Sequence, residues 1–429
     1  MPEAIFLAGG ADSVQRCEGC LAEWGETLQS TECGNCAGLL EIVHGLPGGR
    51  RSAFGELGAA VSEPSLSGVW KFRGLVMPGV KTDAIVSHPE GNTPLLERSA
   101  VREFAGVASL LLKHEGHNPT GSFKDRGMTV AITQAVRIGA RAVACASTGN
   151  TSASLAAYAA HAGIPALVFV PRGQIALGKL AQSLGYGART LLVDGDFDDC
   201  LRLAREASRE LGVYIVNSVN PWRIEGQKTI VFELLQQLNW QAPDWIALPA
   251  GALGNTSAFG KALREAFALG LIDKLPRLLA VQASGAAPFA KSFADGFRTH
   301  ERVKPETIAT AIRIGDPASW DRAVRAITET HGVVAAVTDE EILDAKAVID
   351  GAGVGCEPAS AASVAGVRKL RAAGTISADD HVVAVLTGHM LKDPEILVKY
   401  HGSTAARANG PTEISATLQA VEKAMKLRS

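Results

Sequence analysis

The turn "GHNPTGSFKDRGM", residues 116–128, places a lysine where it could react. Ser122 can cap the helix that follows, and Asp125 three residues later completes a capping-box pattern. Lys124 then lies in the first helical turn, where the helix dipole and partial burial disfavour a protonated ammonium. A lowered pKa favours the neutral amine, which attacks carbonyl groups. The alternative is a solvated lysine that pairs with Asp125 or another neighbour.

Two loops have the composition of anion sites. "STGNTSAS" (147–154) offers hydroxyls and the backbone N–H groups that begin a helix, which suits a carboxylate. "PAGALGNTS" (249–257) can curl around a phosphate because glycine has no Cβ. It lacks the lysine of a nucleotide-binding P-loop, so we do not predict ATP. Either loop could be an ordinary strand-to-helix turn, but a phosphate loop beside a reactive lysine suggests pyridoxal phosphate (PLP).

Four of the seven cysteines lie close together near the N-terminus. Cys17, Cys20, Cys33 and Cys36 form two Cys-x-x-Cys pairs separated by twelve residues. Two such pairs can supply four thiolates to a tetrahedral zinc ion, so we predict a structural zinc-ribbon-like module. A ribbon without metal and a redox pair are the alternatives. We interpret the isolated cysteines as core or surface residues, and these are Cys145, Cys200 and Cys356.

Apolar strand-like segments alternate with helical segments from about residue 109. The predicted strands are "SLLLKHE", "RAVACAS", "PALVFVP", "RTLLVDG", "VYIVNS", "WIALPAG", "RLLAVQASG" and "VVAVLTG". This alternation predicts an α/β protein whose parallel sheets are covered on both faces. Small polar residues follow several of the strands. Ligands bind at the carboxyl ends of such strands, so we expect these loops to form one polar pocket.

Composition excludes several classes of function. The chain has 429 residues and a net charge of −2, which argues against nucleic acid or a membrane surface as the main partner. No apolar segment approaches the ~18 residues of a membrane span. The N-terminus lacks a positive n-region, so we predict no signal peptide and a cytoplasmic location.

Seven motifs in order resemble the threonine synthase family over roughly residues 90–395. They are "EGHNPTGSFKDRGMT", "ACASTGNTSASLAAYAAHAGI", "ALGKLAQSLGYGA", "VNSVNPWRIEGQKT", "ATAIRIGDPASW", "CEPASAAS" and "LTGHMLKDP". The resemblance implies a fold-type II PLP enzyme, similar to tryptophan synthase β, with the active site between two parallel-sheet domains. It also implies a homodimer. The N-terminal cysteines resemble the ribbon of some threonine synthases.

The resemblance also implies a domain organisation. A large PLP-binding domain would comprise residues 91–135 and 246–400, and a smaller mobile domain residues 136–245. We further expect the ribbon at 1–48, a linker with a short helix at 49–90 and a C-terminal tail with a helix at 401–429.

The implied reaction converts O-phosphohomoserine and water to threonine and phosphate. Lys124 matches the lysine that binds PLP and then moves protons among Cα, Cβ and Cγ of the substrate. Asn150 resembles the residue that bonds the pyridoxal 3-oxygen, and Thr387 the hydroxyl facing the pyridine nitrogen. The cofactor-binding loop would be Ala250, Gly251, Ala252, Leu253, Gly254 and Asn255. The substrate would be held at its carboxylate by Ser147, Thr148 and Thr151, and at its phosphate by Asn217, Ser218 and Arg223, with Lys228 as a second candidate charge.

Three positions depart from the family pattern. Ala252 occupies the place of an asparagine that reaches toward the substrate phosphate, Met390 that of a glycine and His117 that of a leucine. These changes keep open a paralogue that performs β-replacement on O-phosphoserine, similar to cysteate synthase. A catalytically silent PLP-fold binding protein is the other alternative, against which Lys124, Asn150 and Arg223 argue. His114 and His117 flank the lysine turn and are either site residues or packed and exposed histidines.

Overall fold

The N-terminal part of the chain forms a small antiparallel sheet. The computed structural model describes residues 13–45, 66–173 and 177–426, so parts of the predicted ribbon, linker and C-terminal tail, and residues 174–176, lie outside the described ranges. The sheet has the order β2-β1-β3. Its strands are β1 (Ser13–Cys17), β2 (Glu23–Gly25) and β3 (Leu40–His44). Cys17 is the last residue of β1, and Cys20, Cys33 and Cys36 lie in the segments between the strands.

A larger sheet contains six strands in the order β12-β11-β10-β13-β5-β4. The pairings are parallel except for β4 with β5, which is antiparallel. The strands are β4 (Leu95–Glu97), β5 (Ser109–His114), β10 (Trp245–Pro249), β11 (Arg277–Ala283), β12 (Val333–Val337) and β13 (His381–Leu386). Strand β10 is buried along its whole length and β11 at every residue but the first, which explains their continuous apolar sequences.

A second sheet of four parallel strands has the order β8-β7-β6-β9. Its strands are β6 (Ala142–Ala146), β7 (Ala166–Pro171), β8 (Arg189–Val193) and β9 (Val213–Ile215). All eight predicted strands of the α/β region therefore exist, and the predicted fold class is confirmed.

Helices cover both sheets. In chain order they are α1 (Arg73–Val76), α2 (Ser99–Ala105), α3 (Lys124–Arg137), α4 (Asn150–Ala162), α5 (Leu177–Gly185), α6 (Phe197–Leu211), α7 (Pro221–Gln227), α8 (Thr229–Gln237), α9 (Gly254–Ala268), α10 (Pro288–Ala294), α11 (Trp320–Glu329), α12 (Asp339–Gly351), α13 (Pro358–Ala372), α14 (Pro394–His401) and α15 (Leu418–Lys426). Helix α15 provides the helix expected in the C-terminal tail. No helix in the described ranges is both long and apolar enough to cross a membrane.

Helices α7 and α8 pack with the large sheet, although the sequence analysis assigned them to the small domain at 136–245. Trp222 of α7 and Phe232 of α8 belong to the same hydrophobic cluster as Ile246 and Leu248 of β10. Burial of their apolar faces decides this association, and chain order does not reveal it. The small domain therefore ends before α7.

The described part of the predicted linker, residues 66–90, is packed in the core. It contains the expected short helix, α1, but Trp70, Phe72 and Leu75 are buried in the cluster under the large sheet. The Phe72 and Phe232 ring centroids are 5.8 Å apart. The interpretation of this stretch as a loose linker was wrong, because its aromatic side chains fill space against α8.

Candidate active site

The lysine turn is fastened to the end of β13. Phe123 N donates to Thr387 O at 3.0 Å, and His389 N donates to Gly121 O at 2.9 Å. Gly121 has φ +85°, a conformation that glycine adopts without strain. Lys124 is the first residue of α3, as the sequence predicts. Its backbone position is therefore set by hydrogen bonds on both sides of the turn.

The predicted capping box at this helix does not form. The Asp125 carboxylate accepts hydrogen bonds from Thr120 N at 2.7 Å, Thr120 Oγ1 at 2.6 Å and Ser154 Oγ at 2.6 Å. Ser122 Oγ is only a distant acceptor, 3.4 Å from Lys124 N. Asp125 thus ties the turn to α4, because Ser154 supplies a better-placed donor than the helix's own N-terminus.

Lys124 has no ion pair among the residues that the structure describes, so the predicted alternative of a pair with Asp125 is wrong. Its Nζ lies 4.1 Å from the centroid of the Phe123 ring. Burial and the nearby positive charge of Arg223 lower the pKa of Lys124 to about 7, and Glu357 opposes this shift. The amine is therefore partly neutral near physiological pH, as a nucleophile requires.

Glu357 joins two of the predicted cofactor residues and was missed by the sequence analysis. Asn150 Nδ2 donates to Glu357 Oε2 at 3.0 Å. Thr387 Oγ1 lies 3.4 Å from Glu357 Oε1 and 3.1 Å from Ser360 Oγ. Burial raises the pKa of Glu357. The sequence did offer a signal for this residue, since Glu357 is a lone carboxylate among small residues in "CEPASAAS".

Ser147, Thr148 and Thr151 lie at the start of α4. All three are half-buried; Ser147 and Thr148 lie in the loop that leaves the carboxyl end of β6, and Thr151 is the second residue of the helix. Gly149 N donates to Ser147 Oγ at 3.2 Å, which shapes the loop. The first N–H groups of a helix have no intrahelical acceptor. The loop therefore combines hydroxyls and free backbone donors, the groups that a carboxylate requires.

Arg223 is a buried cation with open hydrogen-bonding capacity. It is 1% exposed, and its Nη1 donates to Val216 O at 3.1 Å. Its Nε and Nη2 are buried without a partner among the described residues. Burial lowers the pKa of Arg223 to about 10, and Cys145 opposes this shift. The guanidinium therefore stays charged near neutral pH and has two donor atoms available for an anion.

The other predicted phosphate ligands differ from Arg223. Asn217 exchanges hydrogen bonds with the backbone of Ala146, at 3.2 and 3.3 Å, and so joins two loops of the site. Ser218 is half-buried in the loop that leads to α7. Lys228 bonds Glu225 at 2.5 Å and Glu265 at 2.7 Å. Lys228 is therefore part of a buried ion network, and its candidacy as a phosphate ligand was wrong.

The loop 250–255 connects β10 to the N-terminus of α9. Leu253 adopts φ +65°, the left-handed conformation, at the N-cap of this helix. Both polar atoms of the Asn255 amide are buried without a partner among the described residues. Ala252 presents a methyl group and accepts a backbone hydrogen bond from Ser319 N at 3.2 Å. The loop has the unsatisfied donors of an anion cradle, while Ala252 adds none.

The histidines beside the lysine turn have different environments. His114 is fully buried, and its Nε2 lies 2.8 Å from Gly355 O while its Nδ1 accepts from Gly116 N at 3.1 Å. Its ring packs edge-on against His117 with centroids 4.6 Å apart. His117 is exposed. His114 is therefore a satisfied core histidine.

Met390 packs against Gly355. A Cβ added to Gly355 would lie 2.7 Å from the sulfur of Met390.

The four cysteines of the ribbon converge on one point. Their Sγ atoms all lie within 4.8 Å of one another. The Cys17–Cys36 and Cys20–Cys33 sulfur distances are 3.4 and 3.5 Å. Thiolates around a tetrahedral zinc ion are roughly 3.8 Å apart, given Zn–S bonds of ~2.3 Å. The donor set and spacing therefore fit such an ion.

Sequence comparisons give consistent results. Residues 86–388 match the family described as "Pyridoxal-phosphate dependent enzyme". The chain is 43% identical to a threonine synthase of Methanosarcina acetivorans over 413 residues, which are 96% of this chain and 98% of that protein. It is 53% identical to a threonine synthase of Mycobacterium leprae over 313 residues, 72% of this chain and 84% of that protein.

Solved structures show the same fold. Threonine synthase from Escherichia coli matches with a TM-score of 0.68 at 20% identity, covering 94% of this chain and 96% of that one. Maize serine racemase matches with a TM-score of 0.61 at 22% identity, covering 78% and 98%. The expected fold-type II architecture is therefore confirmed. Together with the sequence matches, it establishes that the chain belongs to the threonine synthases of the pyridoxal-phosphate-dependent enzyme family.

Proposed function

We propose that the protein converts O-phosphohomoserine and water to threonine and inorganic phosphate, using PLP. The observation that carries this proposal is Arg223, a buried guanidinium whose positive charge lowers the pKa of Lys124 and two of whose nitrogen atoms have no partner among the residues that the structure describes. Leaving donors unpaired in the interior is costly unless a ligand satisfies them. A phosphate-bearing substrate at the reactive lysine would do so.

The residues of the site suit PLP. Lys124 supplies an amine of lowered pKa, and loop 250–255 supplies backbone donors and the Asn255 amide, which has no partner in the described ranges, for the cofactor's phosphate. Asn150 and Thr387 both contact the carboxyl group of Glu357, and both would bind the cofactor's ring. When bound, PLP withdraws electrons from the substrate's Cα and Cβ.

Lys124 would bind the cofactor and, once the substrate has displaced it, act as the base. Its neutral amine can accept the Cα proton of the substrate and return protons to carbon atoms further along the chain. Hydroxyls of Ser147, Thr148 and Thr151 would hold the substrate's carboxylate and so orient this proton.

Arg223 would bind the substrate's phosphate, assisted by Ser218. A guanidinium can grip phosphate through two parallel hydrogen bonds, and Arg223 has two nitrogen atoms available for this. The bond that breaks is between Cγ and the phosphate oxygen, and Arg223 would neutralise the departing charge. Water then adds at Cβ, and the products balance as threonine and phosphate.

Ala252 favours a second candidate function, β-replacement on O-phosphoserine. Its methyl group removes one donor that the family pattern places near the substrate phosphate, and a shorter substrate would position that phosphate differently.

The purified protein should be incubated with O-phosphohomoserine, and separately with O-phosphoserine and sulfite. Release of phosphate and threonine in the first reaction supports the proposal. Phosphate release only in the second would replace it.

We also propose that Cys17, Cys20, Cys33 and Cys36 bind one structural zinc ion. Backbone N–H groups of Gly19 and Cys20 point to Cys17 Sγ at 3.3 and 3.4 Å, a contact that favours thiolates. Metal analysis of protein purified without chelator tests this, and absence of bound metal would contradict it. A homodimer, implied by the family resemblance, is testable by light scattering, and the predicted cytoplasmic location is testable by cell fractionation.

A further inference from the structure

The ribbon contacts the helix that carries Arg223. His44 at the end of β3 has its Nε2 2.7 Å from Glu225 Oε2 of α7, and both side chains are buried. His44 Nδ1 lies 2.7 Å from the hydroxyl of Ser13 on β1. Burial lowers the pKa of His44, which favours a neutral ring. Ser13 then donates to Nδ1, and the Nε2–H donates to the carboxylate.

The Glu225 carboxylate accepts hydrogen bonds from side chains on several elements. Besides His44, it accepts from Lys228 Nζ at 2.5 Å and Lys261 Nζ at 2.6 Å. Lys261, on α9, also donates to the carbonyl of Ile42 in β3. The carboxylate therefore connects the ribbon to α7 and to α9, the helix that follows the cofactor loop.

Helix α7 is confined between the ribbon and the lysine helix. Glu225 and Arg223 are two residues apart, which is about 200° around a helix, so they face opposite sides. An added Cβ on Gly226 would lie 1.8 Å from Arg126 O, and one on Gly127 2.9 Å from Arg223 O. The backbones of α3 and α7 are therefore in direct contact, and α7 cannot shift without moving Arg223.

We propose that the ribbon positions the Arg223 guanidinium through His44 and Glu225, and so sets the affinity of the active site for the substrate's phosphate. His44 and Glu225 are positioning residues, since neither touches the proposed substrate. The inference rests on the proposed phosphate-binding role of Arg223. A displacement of about 1 Å in such a group costs up to about a hundredfold in rate.

The test compares variants of the full-length, PLP-loaded protein. His44→Ala should weaken binding of inorganic phosphate, measured by calorimetry, about tenfold and raise the KM for O-phosphohomoserine similarly, with a smaller change in kcat. PLP absorbance should be unchanged. His44→Gln should restore phosphate binding, since its amide can donate to Glu225. The matched control is Arg325→Ala, which removes the ion pairs of α11 with Glu18 and Glu41 of the ribbon.

Each outcome decides the proposal. If His44→Ala and Arg325→Ala lower the melting temperature alike and leave the phosphate Kd unchanged, the ribbon is only structural and the inference is overturned. If Arg223→Ala also leaves that Kd unchanged, the proposed phosphate site fails too. Should His44→Ala not fold, Ser13→Ala removes only the hydrogen bond that orients His44. It should weaken phosphate binding by a smaller factor, and an unchanged Kd would overturn the inference.

Discussion

Two sets of buried cations in this protein have opposite surroundings. Beneath the large sheet, Arg126 bonds Glu115 through Nε and Glu233 through Nη2, both at 2.7 Å, and Lys113 bonds Glu233 at 2.5 Å. At the candidate active site, Lys124 has no ion pair, and two nitrogen atoms of Arg223 have no hydrogen-bond partner, within the described residues.

This contrast separates structural charges from charges reserved for ligands. A buried charge without a partner destabilises a fold, whereas one surrounded by carboxylates is satisfied. Burial lowers the pKa of Lys124 to about 7. Arg126 is also buried, but the carboxylates of Glu115 and Glu233 raise its pKa. The unpaired cations are therefore the ones that we assign to cofactor and substrate, and the comparison can be tested at each of them.

Lys124→Ala should have the largest effect and abolish turnover, because no other amine is assigned to bind PLP. Borohydride should no longer fix PLP to the protein, which mass spectrometry of the treated chain would reveal. Lys124→Arg is the matched control, since it keeps a positive charge but cannot form the covalent bond, and it should be equally inactive. Substantial turnover in either variant would contradict the assignment.

Arg126→Met should lower stability rather than remove a reactive group. It leaves Glu115 and Glu233 with fewer buried partners, which typically costs about 3–5 kcal/mol in free energy of unfolding. Chemical denaturation of the apoprotein measures this change. Arg202→Ala is the control, because Arg202 is 57% exposed in its pairs with Asp199 and Glu206 and should contribute at most about 1 kcal/mol. Equal losses of stability in Arg126→Met and Arg202→Ala would contradict the structural role of the buried Arg126 charge.

Arg223→Ala should reduce activity but not stability, the opposite of the effect expected for Arg126→Met. Loss of a charged hydrogen-bonding partner of the substrate should reduce kcat/KM for O-phosphohomoserine about ten- to a hundredfold, or about 1.5–3 kcal/mol. Stability should not fall as it does in Arg126→Met, since an unpaired buried charge is removed. Steady-state kinetics and denaturation of the same preparation would establish both points. A variant with normal kcat/KM would exclude the phosphate role.

The pKa of Lys124 predicts a pH profile for cofactor binding. Its ammonium predominates below about 7 and its neutral amine above, so covalent PLP uptake by the apoprotein should rise with pH and level off above about 7. Uptake should be about tenfold slower one pH unit below. Because Arg223 contributes to the lowered pKa, Arg223→Ala should move the profile to higher pH. Absorbance stopped-flow measures both, and a rise centred near pH 10 would refute the lowered pKa.

Ala252→Asn should have the smallest effect, and of opposite sign. A restored amide would add about one neutral hydrogen bond to the substrate phosphate, or ~1 kcal/mol, which would lower KM for O-phosphohomoserine about fivefold. Ala252→Ser, whose side chain is shorter, is the control and should improve KM less. A higher KM in Ala252→Asn would indicate that the space beside Ser319 is already filled.

Much of the framework is local in sequence. Eight strands were predicted, since a central parallel strand is apolar along its length. Of the ten strands in the two larger sheets, β4 and β12 were missed. β4 has three residues and lies at the sheet edge, where burial imposes no pattern. β12, Val333–Val337, was hidden because a short apolar segment also fits a buried helix.

The sequence by itself determined which residues can react. Spacing alone placed Lys124 at a helix N-terminus and brought four cysteines into two pairs, because a turn and a Cys-x-x-Cys knuckle are formed by neighbouring residues. Small polar residues after successive strands marked the site edge, since carboxyl ends of parallel strands share one edge.

Only the tertiary structure decided how the charges are used. Arg223 and Lys228 are both buried cations, five residues apart, yet Lys228 pairs with Glu225 and with Glu265, 37 residues further on, while two Arg223 nitrogen atoms have no partner in the described part of the chain. Likewise Asp125 bonds Ser154 in another helix, and Glu357 joins Asn150, 207 residues away. Such pairings depend on which elements pack together, and the free energy of burying each charge, set by those distant partners, fixes its role.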